Sequence, residues 1–253
     1  MRQAHLISFY STKEPTLAYW ENGEEIHDGM EGFWCIEDSG EKACVGYRDE
    51  EGRKPCRMRM RGSAQCGYCA TRDIARVHTR MDFAGFEHLQ DEIVNRPYSV
   101  YLVSFGEKVK CGVTRTERVE KRVREQGADC WAEVMRFSNS EDAYEMEGFL
   151  QREMGFKNAV HAATKLKQLG KDNPRLLEEA IEDMKGREVF RMYLREGVKV
   201  VREEYNLPKA WELSTCVEGK ILTAKGPLLF YENGGGTKVV NMKKLTGNLV
   251  EFP

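Results

Sequence analysis

The segment Gln65-Cys66-Gly67-Tyr68-Cys69 contains a C-x-x-C pair, and this pair decides how the N-terminal part of the chain folds. A gap of two residues lets both thiolates face one tetrahedral ion. Two further cysteines, Cys44 and Cys56, lie upstream. The spacing predicts a structural zinc site with Cys44, Cys56, Cys66 and Cys69 as ligands. The metal would hold together a region that is too poor in apolar residues to fold alone.

Other interpretations of these cysteines remain open at the level of sequence. Cys35 can replace Cys44 as a ligand, and His78 and His88 are further reserves. The C-x-x-C pair can also be a redox pair, although a thioredoxin-type pair follows a strand in a βαβ unit and the flanking residues here do not resemble one. The third alternative is that the cysteines are small buried residues with no ligand.

Composition limits the class of protein. The chain has 253 residues, 32% charged and 41% apolar, enough for one large core or two small ones. It contains no apolar run of ~18 residues and no export signal, so we expect a cytoplasmic protein with no membrane segment. In that reducing compartment, eight cysteines favour metal or thiol chemistry over disulfides. The net charge of −2 means that any nucleic-acid affinity must come from local basic patches.

One basic patch lies beside the cysteines. In the run from Arg53 to Arg61, strand alternation places Arg57, Arg59 and Arg61 on one face, next to the zinc site. A row of guanidinium groups there is suited to contacting a phosphate backbone. The alternative is a solvated edge strand whose charges deter aggregation.

The middle of the chain changes character. Residues 98–105 and 108–113 are predicted strands, and a helix follows. Helical spacing of i, i+3 and i+7 places Arg115, Arg118 and Arg122 on one face, while the nearby acids pair with other cations on the opposite side. This leaves three arginines for a phosphate or another anion.

A later helix carries a carboxylate on its apolar stripe. Glu147 lies in line with Ala143, Met146 and Leu150. An ionised carboxylate is costly there unless it meets a cation. Glu147 is therefore either the buried partner of an arginine or a ligand for Mg²⁺.

These patterns predict an α+β fold in three parts. A β-rich zinc-binding domain covers residues 1–95, an α/β domain with extra helices covers 96–206, and a small β domain covers 207–253, where strand candidates are separated by glycines. The sequence carries no signal for the oligomeric state.

Residues 98–155 resemble the GIY-YIG nucleases, whose small α/β domain has a three-stranded antiparallel sheet. In that family a tyrosine lies in the first strand, a Tyr-x-Gly follows in the second, and a helical arginine and a later helical glutamate complete the motif. Tyr101 matches the first tyrosine, Gly112 the glycine, Arg122 or Arg118 the arginine, and Glu147 the glutamate. Lys110 stands where the second tyrosine is expected, and Arg122 lies two residues further from Gly112 than is usual.

Most of the chain also resembles an uncharacterised prokaryotic family that is classed as a domain of unknown function. The likeness rests on several short strings, which supply domain boundaries and no activity: Cys44-Val45-Gly46-Tyr47, Pro55-Cys56, Gln65-Cys66-x-x-Cys69, Val100-Tyr101-Leu102, Gly112-Val113-Thr114-Arg115 and Glu125-Gln126-Gly127-Ala128.

The nuclease resemblance implies a mechanism. Tyr101, with its pKa lowered by nearby cations, would activate water or attack directly, and Glu147 would hold one Mg²⁺ or Mn²⁺ ion. The arginines Arg115, Arg118 and Arg122 would stabilise the phosphate charge, and Lys110 would replace the missing second tyrosine. We therefore expect a zinc-containing hydrolase, a metal-dependent phosphodiesterase acting on DNA or structured RNA. The alternatives are a non-catalytic nucleic-acid-binding protein with the same fold, and an RNA-modifying enzyme that uses the same pocket.

Overall fold

The computed structural model describes residues 2–11, 14–37 and 40–252. Within the described ranges, the N-terminal part contains six strands and two short helices. The strands are β1 (Arg2–Ser11), β2 (Pro15–Glu21), β3 (Glu24–Gly29), β4 (Phe33–Ile36), β5 (Tyr47–Asp49) and β6 (Gly52–Lys54), and the helices are α1 (Gly67–Ala70) and α2 (Ala75–Arg80).

The central part is richer in helix. Its strands are β7 (Tyr98–Phe105), β8 (Lys108–Arg115), β9 (Cys130–Phe137) and β10 (Val201–Arg202). Its helices are α3 (Gln90–Val94), α4 (Val119–Gln126), α5 (Ser140–Met154), α6 (Ala162–Lys167), α7 (Arg175–Gly186) and α8 (Glu188–Arg191).

The C-terminal part returns to strand. It contains β11 (Glu212–Ser214), β12 (Val217–Lys225), β13 (Leu228–Asn233), β14 (Gly236–Asn241), the short helix α9 (Met242–Leu245) and β15 (Leu249–Phe252). The mixture of helix with several small sheets confirms the predicted α+β class.

The chain forms two compact units, one from residues 1–90 together with 205–253 and one from residues 91–204. In the first unit the C-terminal strands share sheets with the N-terminal ones. β15 pairs with β1 in the order β15-β1-β2-β3, and β12 pairs with β4 in the order β11-β14-β13-β12-β4. The segment 207–253, expected above as a separate domain, therefore completes sheets that begin near the N-terminus. The apolar side chains of this tail, such as Val217, Leu229 and Val250, are buried in one core cluster with Leu6 and Tyr19 of the N-terminal strands.

The central unit is built on the sheet β10-β9-β7-β8, in which β7 lies buried between β9 and β8 along its whole length. Alternate residues of β7 face opposite sides. Val100 and Leu102 pack with α5 and α7 in one core cluster, while Tyr101 and Val103 pack with α4 in another.

No helix among the described residues has both the length and the apolar character that crossing a lipid bilayer requires.

Candidate metal centre and phosphate site

The four cysteines singled out by their spacing come together in the first unit. The sulfur atoms of Cys44, Cys56, Cys66 and Cys69 all lie within 4.8 Å of one another, and all four residues are buried. A tetrahedral site with Zn–S bonds of ~2.3 Å has S···S edges of about 3.8 Å. The Cys56 and Cys66 sulfurs are 3.9 Å apart, so the donor set already has the dimensions of a thiolate-bound metal such as zinc.

Backbone N–H groups point at the sulfurs. Cys44 Sγ accepts a hydrogen bond from the N–H of Cys66 at 3.2 Å and from that of Gly46 at 3.4 Å. Gly46 has a φ of +85°, and a Cβ at this position would lie 1.9 Å from the carbonyl oxygen of Lys54. Only glycine lets the chain turn here while its N–H faces the sulfur.

The thiol pKa values reflect this environment. Burial raises the pKa of Cys44, and burial together with the neighbouring thiols raises that of Cys69. At Cys56, burial is opposed by hydrogen bonds from the Met60 N–H and the neighbouring thiols, which bring the pKa to about 7. Four thiolates this close repel one another, so a cation is needed to hold them all ionised.

The reserve ligands lie elsewhere. Cys35 is in β4, opposite Glu218 of β12, and His78 is in the last turn of α2. His88 Nε2 contacts Glu50 Oε1 at 2.9 Å. Among the described residues, none of these three side chains belongs to the four-cysteine group.

The arginines beside the cluster do not form the predicted strand. The chain turns at Cys56, whose carbonyl accepts the N–H of Arg59, and Arg59 has a φ of +46°. The alternation expected for Arg57, Arg59 and Arg61 was therefore wrong, because the turn that brings Cys56 to the other sulfurs breaks the strand. All three arginines are exposed, but Arg61 pairs with Glu41 at 2.8 Å.

The exposed surface of the two cysteine turns is also partly apolar. Met58 and Met60 are 62% and 46% exposed, and Tyr68, inside the C-x-x-C, is 39% exposed. The Arg72 guanidinium lies 3.7 Å from the centroid of the Tyr68 ring. We call Arg57, Met58, Arg59, Met60, Tyr68 and Arg72 the knuckle surface.

In the central unit, Tyr101 sits against the predicted motif glycine. A Cβ at Gly112 would lie 2.6 Å from the Tyr101 hydroxyl oxygen, so the tyrosine occupies space that any side chain at position 112 would fill. The two residues are paired across β7 and β8. Tyr101 is only 1% exposed.

Gln126 connects Tyr101 to Lys110, and it was not predicted as a site residue. Its side-chain nitrogen donates to the Tyr101 hydroxyl at 2.7 Å, and its side-chain oxygen accepts from Lys110 Nζ at 3.2 Å. Its backbone carbonyl accepts from Lys165 Nζ at 2.6 Å. The string Glu125-Gln126-Gly127-Ala128 was the only sequence signal for this position.

The pKa of Tyr101 moves opposite to expectation. Burial raises it, with Glu147 adding to the effect, and this outweighs the opposing influence of Arg122 and Gln126. The expected lowering by cations was wrong because the ring is enclosed in the α4 core cluster. Tyr101 therefore stays a neutral hydroxyl at physiological pH.

Glu147 lies on α5, the helix that packs on the other core cluster of the sheet. Burial raises the pKa of its carboxyl group, and the charge of Lys110 works against that rise. The side chain whose charge acts on Glu147 is thus Lys110, whereas the sequence left open an arginine partner or a role as a Mg²⁺ ligand.

The three central arginines lie on different elements and are paired with acids. Arg115 ends β8, Arg118 lies in a 3₁₀ turn, and Arg122 lies in α4. The prediction that these arginines share one helical face was wrong. Strand β8 continues to Arg115, which pairs with Tyr98 of β7. Glu125 contacts Arg118 at 3.6 Å and Arg122 at 3.3 Å, and Glu117 contacts Arg115 at 3.4 Å, so the acids do not leave the arginines unpaired.

Comparison with protein-family models gives a match over most of the chain. A family model described as "Protein of unknown function (DUF2797)" matches residues 35–250, which include the four cysteines and the whole central unit. No curated protein and no solved structure matches the chain.

Proposed function

The chain belongs to the DUF2797 family, and from its own residues we propose that it is a zinc-stabilised protein that binds nucleic acid through the knuckle surface. Zinc is the metal that a buried set of four cysteine sulfurs with tetrahedral dimensions suits best.

The observation that carries this proposal is the composition of the knuckle surface. Among the described residues, Arg57 and Arg59 form no ion pair with an acid, so both guanidinium groups can reach a phosphate. Tyr68 offers a ring face on which a base can stack, with Arg72 already held against that ring. Guanidinium groups for the backbone and a ring for the bases suit single-stranded DNA or RNA.

The test measures binding of a labelled single-stranded oligonucleotide by the full zinc-loaded chain across a salt series. Each phosphate contact on a single strand contributes about −0.7 to the slope of log K against log salt. We expect Arg57→Ala with Arg59→Ala to weaken binding and to flatten the slope by about 1.4. Tyr68→Ala should lower affinity by ~1–3 kcal/mol through the lost stacking.

Arg61→Ala is the matched control, since this exposed arginine is already paired with Glu41. Its effect should be clearly smaller than that of either neighbour. An unchanged affinity and salt slope in the double variant, with zinc retained, would mean that Arg57 and Arg59 are solvated surface residues that do not contact the nucleic acid.

A second candidate function is phosphodiester cleavage in the central unit. The observation that favours it is the seating of Tyr101 against Gly112, with Lys110 and Glu147 within electrostatic reach, which fits the GIY-YIG resemblance. Two observations favour nucleic-acid binding without cleavage instead: the burial of Tyr101, and the pairing of Arg118 and Arg122 with Glu125.

If the site cleaves, its chemistry follows from these pKa directions. A neutral Tyr101 would donate a hydrogen bond to a phosphate oxygen rather than act as a base, and Lys110 would stabilise the developing charge. Glu147 would hold Mg²⁺ or Mn²⁺, which would supply Lewis-acid activation.

The test incubates the protein with single-stranded and structured DNA and RNA plus Mg²⁺ or Mn²⁺. Metal-dependent cleavage that falls at least about 100-fold in Glu147→Ala supports this candidate. Cleavage that is equal in the two proteins, or absent from both, overturns it and leaves the binding proposal untouched.

A further inference from the structure

A groove on the central unit lies apart from the Tyr101 site. It has a volume of about 590 Å³ and runs between α5, the end of β9, and α8 with the residues that follow it. From α5 it takes positions 142, 145, 146, 149 and 152, whose spacing marks one continuous helical face. That face extends about 15 Å along the helix axis.

The other wall of the groove is apolar and exposed. Val189, Met192 and Tyr193 are 45%, 74% and 45% exposed, and the Tyr193 ring lies 6.0 Å from that of Phe137. Large apolar side chains grouped at this level of exposure are typical of a surface that another helix covers.

Charges of both signs stand at the two ends of the α5 face. Asp142 and Glu145 lie toward its N-terminal end and Arg152 toward its C-terminal end. Between them Phe149 is partly exposed, whereas Met146 is only 9% exposed and belongs to the core. Arg136, which also lines the groove, is paired with Glu133 at 2.9 Å. In the part of the chain that the structure describes, none of Asp142, Glu145 and Arg152 belongs to an ion pair.

This order of charges is complementary to itself. If a second α5 lay antiparallel on the first, the acidic end of each helix would meet the Arg152 end of the other, and the partly exposed Phe149 side chains in the middle would meet each other. Two-fold symmetric dimers use one surface twice in this manner.

We propose that this groove is the interface of a symmetric homodimer, in which α5 of one copy packs antiparallel to α5 of the other. Glu145 of each copy pairs with Arg152 of its partner, and Met192 covers the apolar centre. In this arrangement the side-chain ridges of each α5 helix fit into the grooves of the other over about three turns.

Sedimentation equilibrium of the full zinc-loaded chain tests the proposal. We expect the wild type to approach twice the 29.1 kDa chain mass as its concentration rises through the micromolar range. Met192→Glu should raise the dissociation constant by about tenfold or more, because it places a charge in the apolar centre. Leu213→Glu, at an apolar residue of the other unit that is 69% exposed and lies outside the knuckle surface, should leave it unchanged.

A charge swap tests the antiparallel arrangement. Glu145→Arg or Arg152→Glu alone should weaken association several-fold, and the double variant should restore it, because the pair is re-formed with reversed signs. Circular dichroism of each variant verifies the fold. A wild type that stays monomeric at about 100 µM overturns the dimer, as does an unaffected Met192→Glu. A double variant no tighter than the single ones overturns the helix pairing.

Discussion

The four-cysteine cluster and the central sheet differ in how much apolar surface they bury. The cluster is a small set of buried sulfurs whose supporting turns expose Met58 and Met60, so little apolar area is buried around it. The central sheet has packed cores on both faces, where residues such as Leu102 and Val103 are fully buried. We expect the first region to depend on a bound metal and the second on the hydrophobic effect, so they should respond differently to the same perturbation.

The largest expected effect is loss of the metal. Cys66→Ser should abolish binding of about one zinc per chain and unfold the two cysteine turns, since structural zinc contributes roughly 10–16 kcal/mol to such sites. Elemental analysis gives the zinc content, and limited proteolysis reports the opened turns. The central unit should stay resistant.

Cys35→Ser is the control for this prediction, because Cys35 lies in β4 outside the cluster. Its zinc content should equal that of the wild type. A folded, protease-resistant protein without zinc would remove the contrast between the two regions.

An intermediate effect is expected where the central unit is packed most tightly. Gly112→Ala places a Cβ against the Tyr101 ring and should destabilise the central unit by about 1–3 kcal/mol. Zinc content should not change. Urea unfolding followed by circular dichroism measures the difference in free energy.

Gly148→Ala offers the matched control within α5. Its Cβ would meet only the flexible end of Arg152 at 3.4 Å, and alanine favours a helix interior by roughly 0.5–1 kcal/mol. This variant should be as stable as the wild type or more so. If both substitutions changed the free energy of unfolding equally, the close approach of the new Cβ to Tyr101 would not explain the loss of stability in Gly112→Ala.

The smallest effect concerns the tyrosines of the central unit. Burial raises the pKa of Tyr144 to about 12, and it also raises that of Tyr98. A free tyrosine titrates near pH 10, so the unfolded chain ionises first as the pH rises. Stability from the protonated phenol is therefore complete below pH 10 and is lost between about pH 10 and 12.

Tyr144→Phe should reduce this alkaline loss by on the order of 1 kcal/mol, allowing for the partial exposure of the ring. Thermal unfolding at several pH values measures it, and absorbance of the phenolate follows the titration directly. Equal pH profiles for the variant and the wild type would contradict the burial of this hydroxyl.

The sequence predicted best where one local requirement dominates. The cysteines with ligand spacing lie together as predicted, with donor atoms close enough to share one metal ion. The β7 prediction was correct because a run of apolar residues is typical of a strand in the middle of a sheet, and all eight residues are buried. Helical periodicity placed Arg115 wrongly because its strand pairing with Tyr98 is set by tertiary structure. The strand alternation predicted from Arg57 to Arg61 was wrong because the chain turns at Cys56 instead of continuing as a strand. Gln126 was missed because its role depends on Tyr101 and Lys110, which are distant in sequence.

The pairing of β1 with β15 has a consequence for the order in which the chain matures. Strand β1 cannot complete its edge until residues 249–252 have been synthesised, whereas all four cysteines have been synthesised once residue 69 is made. At ~5–20 residues per second, that interval lasts roughly ten seconds or more on the ribosome. The cysteine turns can therefore capture their ion and residues 91–204 can collapse while β1 and β4 still wait for their partners. Vectorial synthesis thus makes the first strand of the chain among the last to be locked in place.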